Sequence, residues 1–228
     1  MRKTWMVKGL CVLAALMMVS FLAACDDSES TPEPVIGKST TVTDESMTVD
    51  EAGVISGGTV DTANGEGNAT GTAQLMVPAD AVSMLMDGSY PTAGTVKVVL
   101  TVSDWDSEPT FVDGDFTVEE NPYGNATEVI TGGFAEVYLE DSAGNKIRRF
   151  QQSLKMIIDV TNPDIVEDDQ VEIWRYDEET GWDVHAREVN VYDDEGLKVA
   201  FNTNHTTYYV IVYYTTPATT GSAGGTTT

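Results

Sequence analysis

Four apolar residues at alternate positions, Leu154, Met156, Ile158 and Val160, with Lys155 and Asp159 among the residues between them, constrain this chain more than any other feature. Successive side chains of an extended strand point to opposite faces, so this spacing puts all four on one face, whereas a helix would scatter them around its axis. The pattern recurs. Val96, Val98, Leu100 and Val102 form one face of a second run, with Lys97 and Thr101 on the other, and Phe134, Val137 and Leu139 populate a third after Gly132-Gly133. Runs rich in β-branched and aromatic residues follow at 171–176 (VEIWRY), 189–192, 197–201 and 207–214 (TYYVIVYY).

The joints between these runs read as hairpin turns. Segments 141–145 (DSAGN), 177–181 (DEETG) and 193–196 (DDEG) each supply a residue that tolerates positive φ between two strands. Helical spacing is confined to 78–86 (PADAVSMLM), where Pro78 suits a first turn and Val82, Leu85 and Met86 stand at i, i+3 and i+4. The glycine-rich segment 53–71 reads as an extended loop or a pair of weak edge strands. Short strands spaced by turns, with almost no helix, predict an all-β antiparallel β-sandwich. Within it, 171–214 is expected to form a meander with Trp174 and Phe201 in the core and Thr180-Gly181 setting its register.

The first residues read differently. Arg2, Lys3 and Lys8 precede an apolar run, 9–22, that is short for a membrane span and suited to the centre of a secretory leader. Leu22-Ala23-Ala24-Cys25 closes that leader and resembles the lipobox of bacterial lipoproteins. The resemblance implies that the Cys25 thiol is acylated and that cleavage leaves Cys25 as the first residue of the mature chain. Each acyl methylene buried in the bilayer contributes about 0.8 kcal/mol, so several chains together hold a protein at a membrane. Asp26 and Asp27 follow the lipidated residue. By resemblance, Asp26 implies retention at the inner membrane, as in enteric bacteria, or the acidic run 26–29 implies export to the cell surface, as in other Gram-negative groups.

The expected organisation is therefore a signal peptide at 1–24, a lipidated tether at 25–45, a β-sandwich domain at 46–214 and a tail at 215–228. The tether is rich in Ser, Thr, Pro and acids, and the tail (TTPATTGSAGGTTT) has no apolar face, so both are expected to be disordered.

The chain carries 12 basic and 37 acidic side chains, a net charge of −25. Loss of Arg2, Lys3 and Lys8 with the leader leaves nine basic against 37 acidic groups, or −28. Such a field repels polyanions, which argues against nucleic acid and anionic headgroups as partners and leaves cations, basic surfaces and neutral glycans. Cys11 departs with the leader and Cys25 is taken by lipid, so no disulfide is expected.

Two stretches resemble a known kind of module. Residues 73–82 (AQLMVPADAV) resemble a strand-and-turn of the β-sandwich domains of netrin receptors, ankyrins and related bacterial surface proteins, except that Asp80 stands where those have glycine. Residues 171–182 (VEIWRYDEETGW), then Val199-Ala200-Phe201 and 205–211 (HTTYYVI), are similar to the closing half of the same modules and of cartilage intermediate layer protein-like domains. The resemblance spans 72–214 and implies an extracellular sandwich without catalytic residues.

Chemistry-bearing residues are few. A Ser-His-Asp arrangement would need His185 or His205, and no Gly-x-Ser-x-Gly elbow accompanies either. His205 is expected to brace a turn by hydrogen bonds to backbone, and His185 to lie at a sheet surface. Zinc would require a His and Cys cluster that the mature chain lacks. The densest set of hard oxygen ligands is Asp104, Asp106, Glu108, Asp113 and Asp115, the candidate Ca²⁺ site, although the spacing fits no EF-hand. Tyr208, Tyr209, Tyr213 and Tyr214 form the candidate binding face, because alternation sends one tyrosine of each adjacent pair outward unless the sheet is covered on both sides.

These residues predict a lipid-anchored envelope or surface protein, non-catalytic, serving as a structural or recognition module, with no cofactor unless Ca²⁺ binds. Its partners would be the membrane, through the lipid, and a glycan or another envelope protein. A Ca²⁺-stabilised adhesive or glycan-binding module and a small hydrolase are the alternatives.

Overall fold

The computed structural model describes residues 38–107, 128–177 and 180–215. Their elements, in chain order, are β1 (Ser39–Val49), β2 (Val54–Ile55), β3 (Gly58–Asp61), a single 3₁₀ turn (Thr62–Asn64), β4 (Glu66–Gly67), β5 (Ala73–Val77), β6 (Ala81–Leu85), β7 (Gly94–Ser103), β8 (Glu128–Glu140) and β9 (Lys146–Asp159). The second half adds β10 (Gln170–Asp177), β11 (Gly181–Asn190), β12 (Tyr192–Asp193), β13 (Leu197–His205) and β14 (Tyr208–Thr215). Every pairing is antiparallel, as the alternating pattern predicts. The ladder does not, however, divide into two separate sheets.

It closes on itself instead. β1 pairs with β7, β7 with β8, β8 with β9, β9 with β6, β6 with β2, and β2 with β1, a ring of six strands. Each of the six strands contributes a buried residue: Met47, Ile55, Ala81, Ile147, Leu139 and Val98 are each 0% exposed. Their side chains fill the interior, and closure removes the unpaired strand edges that an open sheet would present.

Above the β8–β9 turn the two strands part. Their free edges take new partners, β14 along β8 and β13 along β9, so the β13–β14 corner sits between them. β10 and β11 extend the sheet beyond β14, β12 pairs with β13, and β5 with β3 lies against the far half of β9. The expected meander over 171–214 is thus corrected: β10 and β11 form a hairpin beside β14, whereas β13 pairs with β9. The buried run Tyr209, Val210, Ile211 and Val212 accounts for this, since an apolar strand covered on both faces belongs between two neighbours, here β8 and β10.

The two leading apolar patterns occur as read. Val96, Val98, Leu100 and Val102 are buried, as are Leu154, Met156, Ile158 and Val160, and all join one core. Phe201 belongs to that core. Trp174 does not: it is half-buried on the opposite face of its sheet, packed against Phe134, Val210 and Val212. The register between Asp177 and Gly181 matches the expected turn, with Gly181 at φ 78°.

Two local expectations are corrected. Residues 78–86 contain a strand and no helix, because Ala81 and Ser83 alternate with Val82 and Met84 and find partners in Ile55 and Phe150; Asp80 takes the positive φ (65°) of the turn before them. β1 begins at Ser39, inside the segment expected as tether, because its β-branched residues pair with β7 from Ser39↔Ser103 onward.

The turn that joins β8 to β9 is held by one carboxylate. Asp141 Oδ1 accepts from the amides of Ala143 (2.9 Å) and Asn145 (2.8 Å), and Oδ2 from the Thr92 amide (2.7 Å) and the Asn145 side chain (3.0 Å). Burial pushes this carboxyl up, but the hydrogen bonds from Asn145, Thr92 and Ala143 outweigh it and hold the pKa down to about 2. A folded-state pKa below the unfolded one stabilises the fold above the unfolded value and ceases to do so as the pH falls through the folded value. Asp141 is therefore expected to contribute about 2 kcal/mol above pH ~4 that disappears towards pH ~2, and Asp141→Ala should flatten this part of the acid limb in denaturant titrations at stepped pH. An unchanged acid limb would contradict the assignment.

Candidate functional site

The β13–β14 corner is held by a set of side-chain hydrogen bonds. Tyr209, fully buried, sends its hydroxyl back to the His205 carbonyl (2.7 Å) and to Thr203 Oγ1 (2.7 Å). This is the device by which a tyrosine at the start of one strand pins the turn behind it in many β-sandwiches. Burial raises the Tyr209 hydroxyl pKa well above its ordinary value, so the hydroxyl stays protonated and available to donate. Thr206 Oγ1 donates to the Ile147 carbonyl (2.6 Å), Thr207 Oγ1 to the Tyr176 carbonyl (2.6 Å), and the Val137 amide to the Thr207 carbonyl (3.0 Å). Three strands thereby clamp the corner.

Beside it lies a pocket of about 40 Å³, lined by Met86, Arg148, Arg149, Arg175, Tyr176, Asp177, His205, Thr206 and Thr207. Three of the chain's five arginines meet there. Arg148 and Arg149 are sequence neighbours, which a regular strand would point to opposite faces. The ladder between β13 and β9 is irregular at this point, passing from Thr203↔Leu154 to His205↔Arg149, and a bulge of this kind re-aims side chains.

The polar groups of the pocket are ordered relative to one another. Arg175 donates to His205 Nδ1 at 3.0 Å; a guanidinium only donates, so Nδ1 accepts and the ring proton sits on Nε2. Burial, and then the Arg175 and Arg149 charges, hold the His205 pKa below its ordinary value. The imidazole is neutral at pH 7. Arg148 donates to the Thr206 carbonyl (3.4 Å), and Asp177 Oδ1 accepts from the Thr180 amide (3.2 Å). The Arg149 guanidinium is exposed and has no hydrogen bond or ion pair among the described residues. The arrangement presents fixed positive charge and donors; neither imidazole bonds a hydroxyl nucleophile among the described residues.

His205 therefore corrects its expected role: its ring bonds Arg175, and it is the carbonyl that takes part in bracing the turn. His185 is half-buried, with Nε2 donating to the Asn202 carbonyl at 2.8 Å and its ring edge-on to Phe201 and Tyr209 at 5.8 Å each.

Of the residues that the sequence singled out for calcium, Asp104 is buried and wholly engaged. Its carboxylate accepts from the Thr70 amide (2.9 and 3.0 Å), Thr70 Oγ1 (2.8 Å) and the Gly71 amide (3.1 Å). Asp106 pairs with Lys38 at 3.3 Å on the surface. Glu108, Asp113 and Asp115 lie outside the described residues, as do Cys25, Asp26 and Asp27. Among the described residues no three His, Cys, Asp or Glu side chains gather as a metal site, and no helix is long and apolar enough to cross a membrane.

The tyrosines do not form one exposed face. Tyr209 is in the core, and Tyr208, Tyr213 and Tyr214 are half-buried. Tyr213 donates to Asp169 (3.2 Å) and Tyr214 to the buried Glu172 (3.1 Å), which also binds Trp174 Nε1 (2.9 Å) and Arg187 (2.9 Å). The sheet is covered on both sides, which is the condition under which adjacent tyrosines need not point outward.

The arginine pocket itself was legible only as the pair Arg148-Arg149 in a chain with five arginines; Arg175, 26 positions later, gives no sequence sign that it joins them. Compared with known proteins, the chain matches no family model, no curated protein and no solved structure.

Proposed function

We propose that this chain is a lipid-anchored cell-envelope or surface protein whose β domain serves as a non-catalytic recognition module. The observation that carries the reading is the leader ending in Leu22-Ala23-Ala24-Cys25, whose similarity to a lipobox makes Cys25 the site of acylation. A concavity at a braced corner, lined by donors and with no imidazole bonded to a hydroxyl nucleophile among the described residues, supports recognition over turnover. The two arms of the ladder that part above the ring, one carrying β14, β10 and β11 and the other β13 and β5, support a sandwich-like arrangement closed at one end.

Cys25→Ser in the producing cell is expected to abolish incorporation of labelled palmitate and to leave the chain unprocessed or released from membranes. Palmitate incorporation that survives the substitution would reject the anchor. Retention of membrane attachment without label would reject it equally.

A further inference from the structure

We infer that the pocket at the β13–β14 corner binds a single carboxylate group, an inference that rests on the recognition reading above and names its ligand class. In a chain of net charge −25, three arginines converge on one pocket, and the exposed Arg149 guanidinium has no carboxylate partner among the described residues. A planar guanidinium presents paired N–H donors that match the two oxygens of a carboxylate, and such charge-assisted bonds are about twice as strong as neutral ones. Arg175 is held against His205 at 3.0 Å, so its orientation is set before a ligand arrives. The neutral imidazole adds a hydrogen-bond donor, Nε2–H, and no charge.

One feature favours a monoanion over a phosphate dianion. Asp177 stands in the same wall, and the surrounding field is strongly negative, so each further ligand charge adds repulsion and a dianion meets more of it than a monoanion. The volume of about 40 Å³ suits one small group rather than a large polyanion. Met86, 48% exposed, and Tyr176 line the rim and offer apolar contact to the body that carries the carboxylate. That body is a peptide chain end or an acidic sugar; both bring the same headgroup.

Calorimetry on the full-length chain in non-ionic detergent separates these cases. The probes are N-acetylglycine with its neutral amide, glucuronate with glucose, and inorganic phosphate. At least one carboxylate is expected to bind at least about tenfold more tightly than its neutral counterpart, and Arg149→Gln should weaken it by about tenfold or more while the melting temperature holds. Lys155→Gln, an exposed charge change elsewhere on β9, should leave it unchanged. Preference for N-acetylglycine identifies the peptide end as the source and preference for glucuronate the acidic sugar. Absence of binding by both carboxylates, tighter binding of phosphate, or equal effects of Arg149→Gln and Lys155→Gln would each overturn the inference. Arg149-dependent phosphate binding would do so while leaving the recognition reading standing.

Discussion

Truncating Tyr209 to alanine is expected to cost about 3–5 kcal/mol, among the largest losses available to a single substitution here. The ring is 0% exposed and packs against Phe201 (centroids 5.2 Å) and His185 (5.8 Å), so its removal opens a cavity at the junction of β13 and β14. Tyr209→Phe separates the two contributions. It keeps the ring and deletes the hydroxyl that reaches the His205 carbonyl and Thr203, and should cost about 1–3 kcal/mol, the range for leaving buried partners unsatisfied. Urea denaturation with an unchanged slope measures both. A Tyr209→Phe loss below about 0.5 kcal/mol would show that the hydroxyl does not brace the corner.

Asp104→Ala is the second large effect. Four contacts from Thr70 and Gly71 converge on this buried carboxylate, and Asp159 holds the next residue, Thr72, through its amide (2.8 Å) and hydroxyl (2.9 Å). The strand entrance 70–72 is thus hung on two carboxylates. Deleting one leaves the buried Gly71 amide and the part-buried Thr70 donors without their acceptor, a loss of about 2–4 kcal/mol. Because the lone pairs of Asp104 are directed at these donors, the loss is expected to be the same in millimolar Ca²⁺ and in chelator. A destabilisation seen only in Ca²⁺ would return Asp104 to the role of metal ligand.

The core and the candidate site differ in how far the sequence reveals them. Alternation in 96–102 and 154–160 is a local property with a fixed geometric meaning, and it placed eight buried residues correctly. The helical spacing of Val82, Leu85 and Met86 is equally local, yet it lost to pairing with β2 and β9, since a short segment gains more from two neighbouring strands than from one helical turn. Ring closure depends on pairings such as Val54↔Val82 and Leu85↔Ile147, which join segments far apart in sequence and leave no periodic mark. Likewise, an acidic cluster in sequence does not reveal whether its members face an ion or backbone amides. Asp104 turned inward to Thr70, 34 positions away, whereas the arginine pocket assembles β9, β10 and the β13–β14 corner.

The claim that recognition occurs at this corner is tested most directly by the methyl resonances of the methionines. Met86 lies at the pocket rim, 48% exposed, while Met47 and Met156 are buried at 0% in the core, so one labelled spectrum reports both places. On titration of the full-length chain with N-acetylglycine or glucuronate, the Met86 methyl signal is expected to move saturably while those of Met47 and Met156 stay fixed, and the movement should vanish in Arg149→Gln. A Met86 signal that stays still while either carboxylate binds, or that moves undiminished in Arg149→Gln, would place the ligand elsewhere and contradict the account.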